Sequence, residues 1–448
     1  MKILHVPYVY YPDAVGGTEV YVEGLVRELA NLGVHGVIAA PAPKEEAYEV
    51  DGLAVRRFGV TPALSDLRRI YGQGDDSATK SFARILDREQ VDVVHLHAFT
   101  SAVSIGLVRA ARSRGARVVF TYHTPAVSCA RGTLLRWGTD MCDGVLKPAR
   151  CAACVLDQHG VPRVAAHVMA RLPLVSRAAG GAGLAGGAWT ALRMRELIEI
   201  QHGAIHALLE EADHIVAVCE WARELLLRNG LSADKISVSR HGLAATPAAV
   251  RGCKPSLPLR VVYAGRLDAS KGVDLLLRAL SEGPELAVQL DILGVAQGAV
   301  GERYRADLQR LAGSDARVRF LPPVPHSEVV KTLSEYDVLA VPSRCLETGP
   351  LVVLEAFAAG VPVLGSDLGG IAELVSDGID GLLVREATPA AWRAALCELT
   401  NDDASVADRL RLGVKPARNM ATVAADHVAI YERVVSGSRR TNTTRAAI

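Results

Sequence analysis

No run of eighteen apolar residues occurs anywhere in the 448-residue sequence, and a helix needs about that length to cross a bilayer, so a helical membrane-spanning protein is excluded. Net charge is also missing. The 50 Lys and Arg stand against 49 Asp and Glu, which argues against a general nucleic-acid binder and sets nucleic acid aside as a partner. The opening MKILHVPYVYYPDAVGG is broken by polar residues too early for a secretory leader, so a cytoplasmic chain is expected. In that compartment eight cysteines do not read as a disulfide framework. Cys219, Cys253, Cys345 and Cys397 are scattered and read as small buried hydrophobes. What is present suffices for two or three cored domains: 50% hydrophobic residues, 22% charged, and a mean hydropathy of +0.19. The charge is uneven, with thirteen Lys or Arg against three acids between Arg109 and Arg195. That local excess points to an anionic neighbour.

Short β-rich runs alternate with helical stretches: KILHVPYV, a helix from Thr18 to Asn31, VHGVIAA, VDVVHLHA, RVVFTYH, HIVAVC and KISVSR. Such alternation indicates stacked βαβ units, hence α/β architecture with parallel sheets covered on both faces. Residues 244–258, AATPAAVRGCKPSLP, lack strand alternation and read as a linker. The pattern restarts with LRVVYAGR, LAVQLDILG, RVRFLPPV, DVLAVPS, VPVLGS and GLLV, giving two similar halves. Ligands of open parallel sheets bind at the carboxyl ends of the strands, so a site in a gap shared by the halves is expected. Residues 125–187 break the pattern and read as an insertion without a core of its own. Within it Val164, Val168 and Leu172 share one helical face, and Arg163, His167 and Arg171 line another. That arrangement suits either contact with an anionic membrane surface or a solvated basic face.

The densest segment is SRCLETGPLVVLEAFAAGVPVLGSDLGGIAELVSDGIDG, residues 343–381. It predicts a loop bearing Glu347 after a strand, then a helix starting at Pro350, which carries Glu355. Proline suits a first helical position because no amide is needed there. The amides that follow, at Leu351, Val352 and Val353, with the positive end of the helix dipole, make an anion site fit for a diphosphate. Arg266 and Lys271, in GRLDASKGVD, sit at the end of a strand and the start of the next helix, where two cations can neutralise a departing diphosphate. In the first half, GGTE places Gly16 and Gly17 where the chain passes from strand to helix, with Thr18 as a capping residue. His123 in TYHTP ends another strand. His95 and His97 share a face, but no third ligand lies near them in sequence, so they read as a packed pair rather than a metal site.

Together these motifs resemble the retaining glycosyltransferases of family 4, glycosyl transferases group 1, a subgroup of which has a cysteine-bearing insertion. The resemblance implies the GT-B fold, two Rossmann-like domains facing across an interdomain cleft. It implies an N-terminal acceptor domain at 1–245, a nucleotide-sugar domain at 258–414 and a C-terminal helix at 415–436 returning to the first domain, while the polar residues after it read as a disordered tail at 437–448. By the same resemblance Glu347 binds donor-sugar hydroxyls, Glu355 the ribose, Arg266 and Lys271 the diphosphate, and His123 the sugar near the reacting carbon. Gly16 and Gly17 approach the phosphate or acceptor, Gly349, Leu351 and Val352 lie on the donor, and Gly369 and Gly370 open a loop near the sugar. Backbone at 321–324 meets the nucleobase. His241, in SRHGL, stands where many relatives have an Asn-Gly turn and receives no role. No Asp-x-Asp triplet occurs, as expected where catalysis uses no metal cofactor.

Cys129, Cys142, Cys151 and Cys154 form C-x12-C-x8-C-x2-C. Four thiolates suit a structural tetrahedral zinc, with an iron–sulfur cluster as the alternative. The expected function is transfer of a sugar from a UDP- or GDP-sugar to a glycolipid or other glycan acceptor, at the inner face of a membrane. The competing readings are a sugar-nucleotide epimerase of the same fold and a non-catalytic nucleotide-sugar-binding subunit.

Overall fold

The computed structural model describes residues 1–13, 16–182, 186–244, 257–401 and 404–445, with side chains of the last helix described through residue 437. Two α/β units result, one formed by Met1–Arg240 with Met420–Ile448 and the other by His241–Asn419. Residues 245–256, most of the expected linker, lie outside the described residues, as does Cys253.

In the first unit β1 (Lys2–Val6), β2 (His35–Ala42), β3 (Glu46–Val50), β4 (Leu53–Gly59), β5 (Val93–Leu96), β6 (Arg117–Tyr122), β9 (His214–Ala217) and β10 (Ile236–Val238) form one sheet. A separate hairpin joins β7 (Leu135–Arg136) to β8 (Asp140–Met141). The sheet order is β10-β9-β6-β5-β1-β2-β4-β3, parallel except for β3 against β4. The chain leaves β1 for one side and returns to the other through β5, so the crevice for ligands lies at the carboxyl ends of these two strands.

The helix Met420–Arg445 belongs to this unit. Its Met420, Val423, Ala424 and Tyr431 are buried in one cluster with Tyr21, Leu25 and Leu29 of the helix Gly17–Asn31. It starts at Met420, later than the expected 415. It also continues to Arg445, past the tail expected from residue 437. Adding a residue to an anchored helix needs no new nucleus, so weak helix formers can follow a buried stretch.

The insertion departs from expectation too. It folds as the helices Pro148–Gln158, Arg163–Ala170 and Pro173–Gly181, which pack with the long helix Gly187–Glu211. Ala152, Ala153, Val155, Leu156, Ala166 and Ala170 meet Met194 and Ile198 in a small core. The alanine-rich stretches that looked coreless let these helices approach closely.

The second unit has β11 (Leu259–Arg266), β12 (Val288–Val295), β13 (Val318–Leu321), β14 (Val338–Val341), β15 (Val363–Ser366) and β16 (Gly381–Val384), all parallel, in the order β13-β12-β11-β14-β15-β16. Alternation along β11 fills both faces. Leu259, Val261 and Tyr263 enter one cluster with Leu276 and Trp392, while Val262 enters another with Val353 and Phe357. The switch point falls between β11 and β14.

Candidate active site

Both strands at the second unit's switch point end in the residues singled out from sequence. Arg266 closes β11, and a turn Ala269–Lys271 follows it, capped by the Asp268 carboxylate on the Ser270 amide at 2.9 Å. Gly272 then starts the helix Val273–Glu282 at φ +69°, where a Cβ would stand 2.0 Å from the Pro342 carbonyl oxygen. Only glycine lets this turn press against the end of β14. The contact continues: the Arg344 amide donates to the Ser270 carbonyl at 2.7 Å, and the Arg344 guanidinium grips Asp274 through two bonds of 2.6 and 2.8 Å. Two loops from neighbouring strands are thereby fixed to one another.

Their side chains converge. Lys271 Nζ donates to Glu347 Oε1, which also accepts from Ser343 Oγ at 2.7 Å. Lys271 and Glu347 are largely covered, with side chains 19% and 14% exposed, so their attraction is less screened than on open surface. Arg266 leaves its guanidinium exposed while its carbonyl accepts from the Tyr263 hydroxyl. Burial raises the Asp268 pKa, yet bonds from Ser270 and the charges of Arg266 and Lys271 outweigh it and hold the carboxyl below its usual range.

The helix after this loop runs Leu351–Ala358, with Pro350 as its cap rather than its first residue. The Val353 amide is already bonded to the Pro350 carbonyl at 3.1 Å, so the anion site expected from three amides reduces to those of Leu351 and Val352. Glu355 is 6% exposed, and burial pushes its pKa up to about 7. His326 Nδ1 lies 3.4 Å from its Oε1. Across the loop, the Gly370 amide donates to the Glu347 carbonyl at 2.6 Å, and a Cβ there would fall 2.5 Å from the Gly349 nitrogen. Gly369 takes φ +54° to bring it there. Ser343, His326 and His241 were not anticipated. The half-buried ring of His241 lies with Nδ1 2.9 Å from the Gly349 carbonyl oxygen, which it holds as a donor; the bond spans 108 residues and leaves no local sequence signal.

In the first unit Gly16 caps the helix Gly17–Asn31, and its amide donates to Glu19 Oε2 at 2.8 Å. Glu19 thus closes the helix start that Thr18 was expected to cap, since Thr18 falls inside the first turn. His123 follows β6 directly and is 6% exposed. Its Nε2 lies 3.1 Å from His97 Nδ1, and His97 Nε2 lies 3.1 Å from His5 Nδ1. Burial drives the His5 and His97 pKa values down, the former to about 3, so these rings stay neutral. A third imidazole therefore does stand beside His95 and His97, carried by β1, whose His5 pairs with His95 in the sheet. Both nitrogens of His95 are taken, by Tyr431 Oη at 2.6 Å and Thr121 Oγ1 at 2.7 Å. The group is a hydrogen-bonded network that fixes His123.

The glycine-bearing helix start after β1 lies within one stretch that matches a known family, and the basic turn after β11 with the glutamate loop after β14 lies within another. The description Glycosyltransferase Family 4 matches residues 15–171, and Glycosyl transferases group 1 matches residues 258–402. The chain belongs to glycosyltransferase family 4. Among curated relatives of this family 4 chain, the D-inositol 3-phosphate glycosyltransferase of Nocardia farcinica is 36% identical over 239 residues, 50% of this chain and 52% of that protein. That of Streptomyces avermitilis is 30% identical over 321 residues, 68% of this chain and 62% of that protein. The chain thus spans about half to three fifths of the length of these relatives. In fold, the family 4 chain is similar to sucrose-phosphate synthase from Thermosynechococcus elongatus, at 18% identity and TM-score 0.66 over 98% of this chain and 100% of that one. It is also similar to Anabaena HepE in complex with UDP and glucose, at 17% and 0.63 over 96% and 99%. The fold is GT-B, with two Rossmann-like domains.

Proposed function

We propose that this chain transfers a sugar from a UDP- or GDP-sugar to a hydroxyl of an anionic, lipid-linked or other glycoconjugate acceptor, with retention at the anomeric carbon. One observation carries the reading: Lys271, Glu347 and the start of the Glu355 helix meet at the carboxyl ends of β11 and β14. Lys271 and Arg266 bind the diphosphate together with the Leu351 and Val352 amides, Glu347 takes hydroxyls of the sugar, and Glu355 takes the ribose. Gly349, Gly369 and Gly370 let the loops around the sugar close on one another, Gly16 and Gly17 face phosphate or acceptor, and His123 faces the sugar. The anomeric carbon to phosphate bond breaks, the acceptor oxygen bonds to the same face, and the acceptor proton passes to a diphosphate oxygen. Because negative charge grows on the leaving group, fixed cations and amides lower the barrier there without a metal.

The complex of HepE with UDP and glucose supports a nucleotide-sugar donor, and the names of the curated relatives are consistent with a phosphorylated acceptor. The exposed Val164, Val168, Leu174 and Val175 beside exposed Arg163 and Arg177 favour a peripheral contact with anionic membrane, on the cytoplasmic side. Incubation with labelled UDP- and GDP-sugars and glycolipid acceptors tests the whole reading. Transfer to acceptor is expected; isomerised nucleotide sugar alone, or binding without turnover, overturns it.

A further inference from the structure

The insertion contains a cavity that the sugar-transfer chemistry does not use. Cys129 reaches it from the loop after the turn Pro125–Val127, Cys142 from the end of β8, and Cys151 with Cys154 from successive turns of the helix Pro148–Gln158. All four are free thiols that line the same 40 Å³ space, several times what one water molecule needs. The Trp137 amide donates to Cys154 Sγ at 3.4 Å.

The rest of the lining is mostly apolar, with Leu134, Leu135, Leu146 and Val155 beside the side chains of Arg136, Arg150 and His202. His202 is 5% exposed and its Nδ1 has no partner; the Nε atoms of Arg136 and Arg150 are likewise buried and unpaired. Arg150 pairs its terminal nitrogens with Asp143 and the Val145 carbonyl, so the buried Nε–H groups of Arg136 and Arg150 are the donors that an occupant with acceptor atoms would satisfy. A lone tetrahedral zinc meets that need through its thiolate sulfurs, so size decides. At 2.3 Å per bond zinc draws its four sulfurs to within about 4 Å of one another. Among the described residues the one set of three or more ligand groups within 4.8 Å of each other is His5, His95 and His97, so no three of the four thiols stand that close. The occupant has to be wider than one ion.

We propose that Cys129, Cys142, Cys151 and Cys154 hold an iron–sulfur cluster. Four cysteines are the ordinary complement of such a cluster, and its inorganic sulfides accept hydrogen bonds from surrounding N–H groups. The cluster arrives from a thiolate-bearing scaffold protein: four iron–sulfur bonds to that donor break as four form to these cysteines, the four thiol protons pass by way of solvent to the released donor thiolates, and no iron or sulfur changes oxidation state. Bound there, it ties the loop, the hairpin and the helix Pro148–Gln158 together.

Protein purified without exposure to oxygen tests this directly. Iron and acid-labile sulfide in equal amounts, at least about two of each per chain, with a visible charge-transfer band, are expected. Cys151→Ser with Cys154→Ser should abolish both. His202→Leu should keep the iron and shift the cluster's reduction potential, a response that a merely structural histidine would not give. One zinc per chain without labile sulfide, or no metal at all in the unsubstituted protein, overturns the proposal, and neither result bears on the donor site.

Discussion

Glu355 is a carboxyl that burial holds protonated up to about pH 7, against 4.5 for an ordinary glutamate. Since the folded state keeps its proton where the unfolded chain has lost it, this group lowers stability as pH rises from about 4.5 to about 7, and has no further effect above. Ribose hydroxyls bind the ionised form better, so UDP affinity should rise through neutral pH and then level off. Calorimetric titration with UDP at several pH values checks this, and Glu355→Gln should flatten the profile. At Lys271 and Glu347 the expectation concerns rate. Either alanine substitution should lower turnover roughly a hundredfold with the fold intact, measured as product formed at saturating donor with circular dichroism as the control.

At the level of elements, what matters is how closely the loops after β11, β14 and β15 approach. Gly370→Ala puts a methyl against backbone atoms of Gly349 and Glu347 that cannot swing aside. The loop must shift, so stabilisation of the protein by UDP in thermal-shift titration should be lost, while the melting temperature without ligand falls by only a few degrees. These loops were largely legible in the sequence. GRLDASKGVD and the Glu347 to Glu355 segment are local patterns, with proline and glycine marking the turns. What was not legible is non-local. His5 joins His95 because β1 pairs with β5, 90 residues apart, and His241 reaches Gly349 from another part of the unit. Small residues hid the core of the insertion, because a run of alanines gives the same weak signal in a packed helix as in a loop. Thr18 failed as a cap because the helix already starts at Gly17.

Across the whole molecule, the second unit is continuous in sequence, whereas the first is assembled from Met1–Arg240 and a helix that begins at Met420. Tyr431 is fully buried there and its hydroxyl bonds to His95 at 2.6 Å. Tyr431→Ala should therefore cost about 3 to 5 kcal/mol in denaturant unfolding of the first unit, read by a probe placed in that unit. The same arrangement fixes an order of events on the ribosome. When the residues through Asn419 have emerged, the later-made unit already has every strand and helix it needs, but the earlier-made one still lacks a wall of its core. The usual sequence, in which the leading part of a nascent chain matures first, is reversed, and the leading part has to wait with Tyr21 and Leu25 uncovered until translation reaches Tyr431.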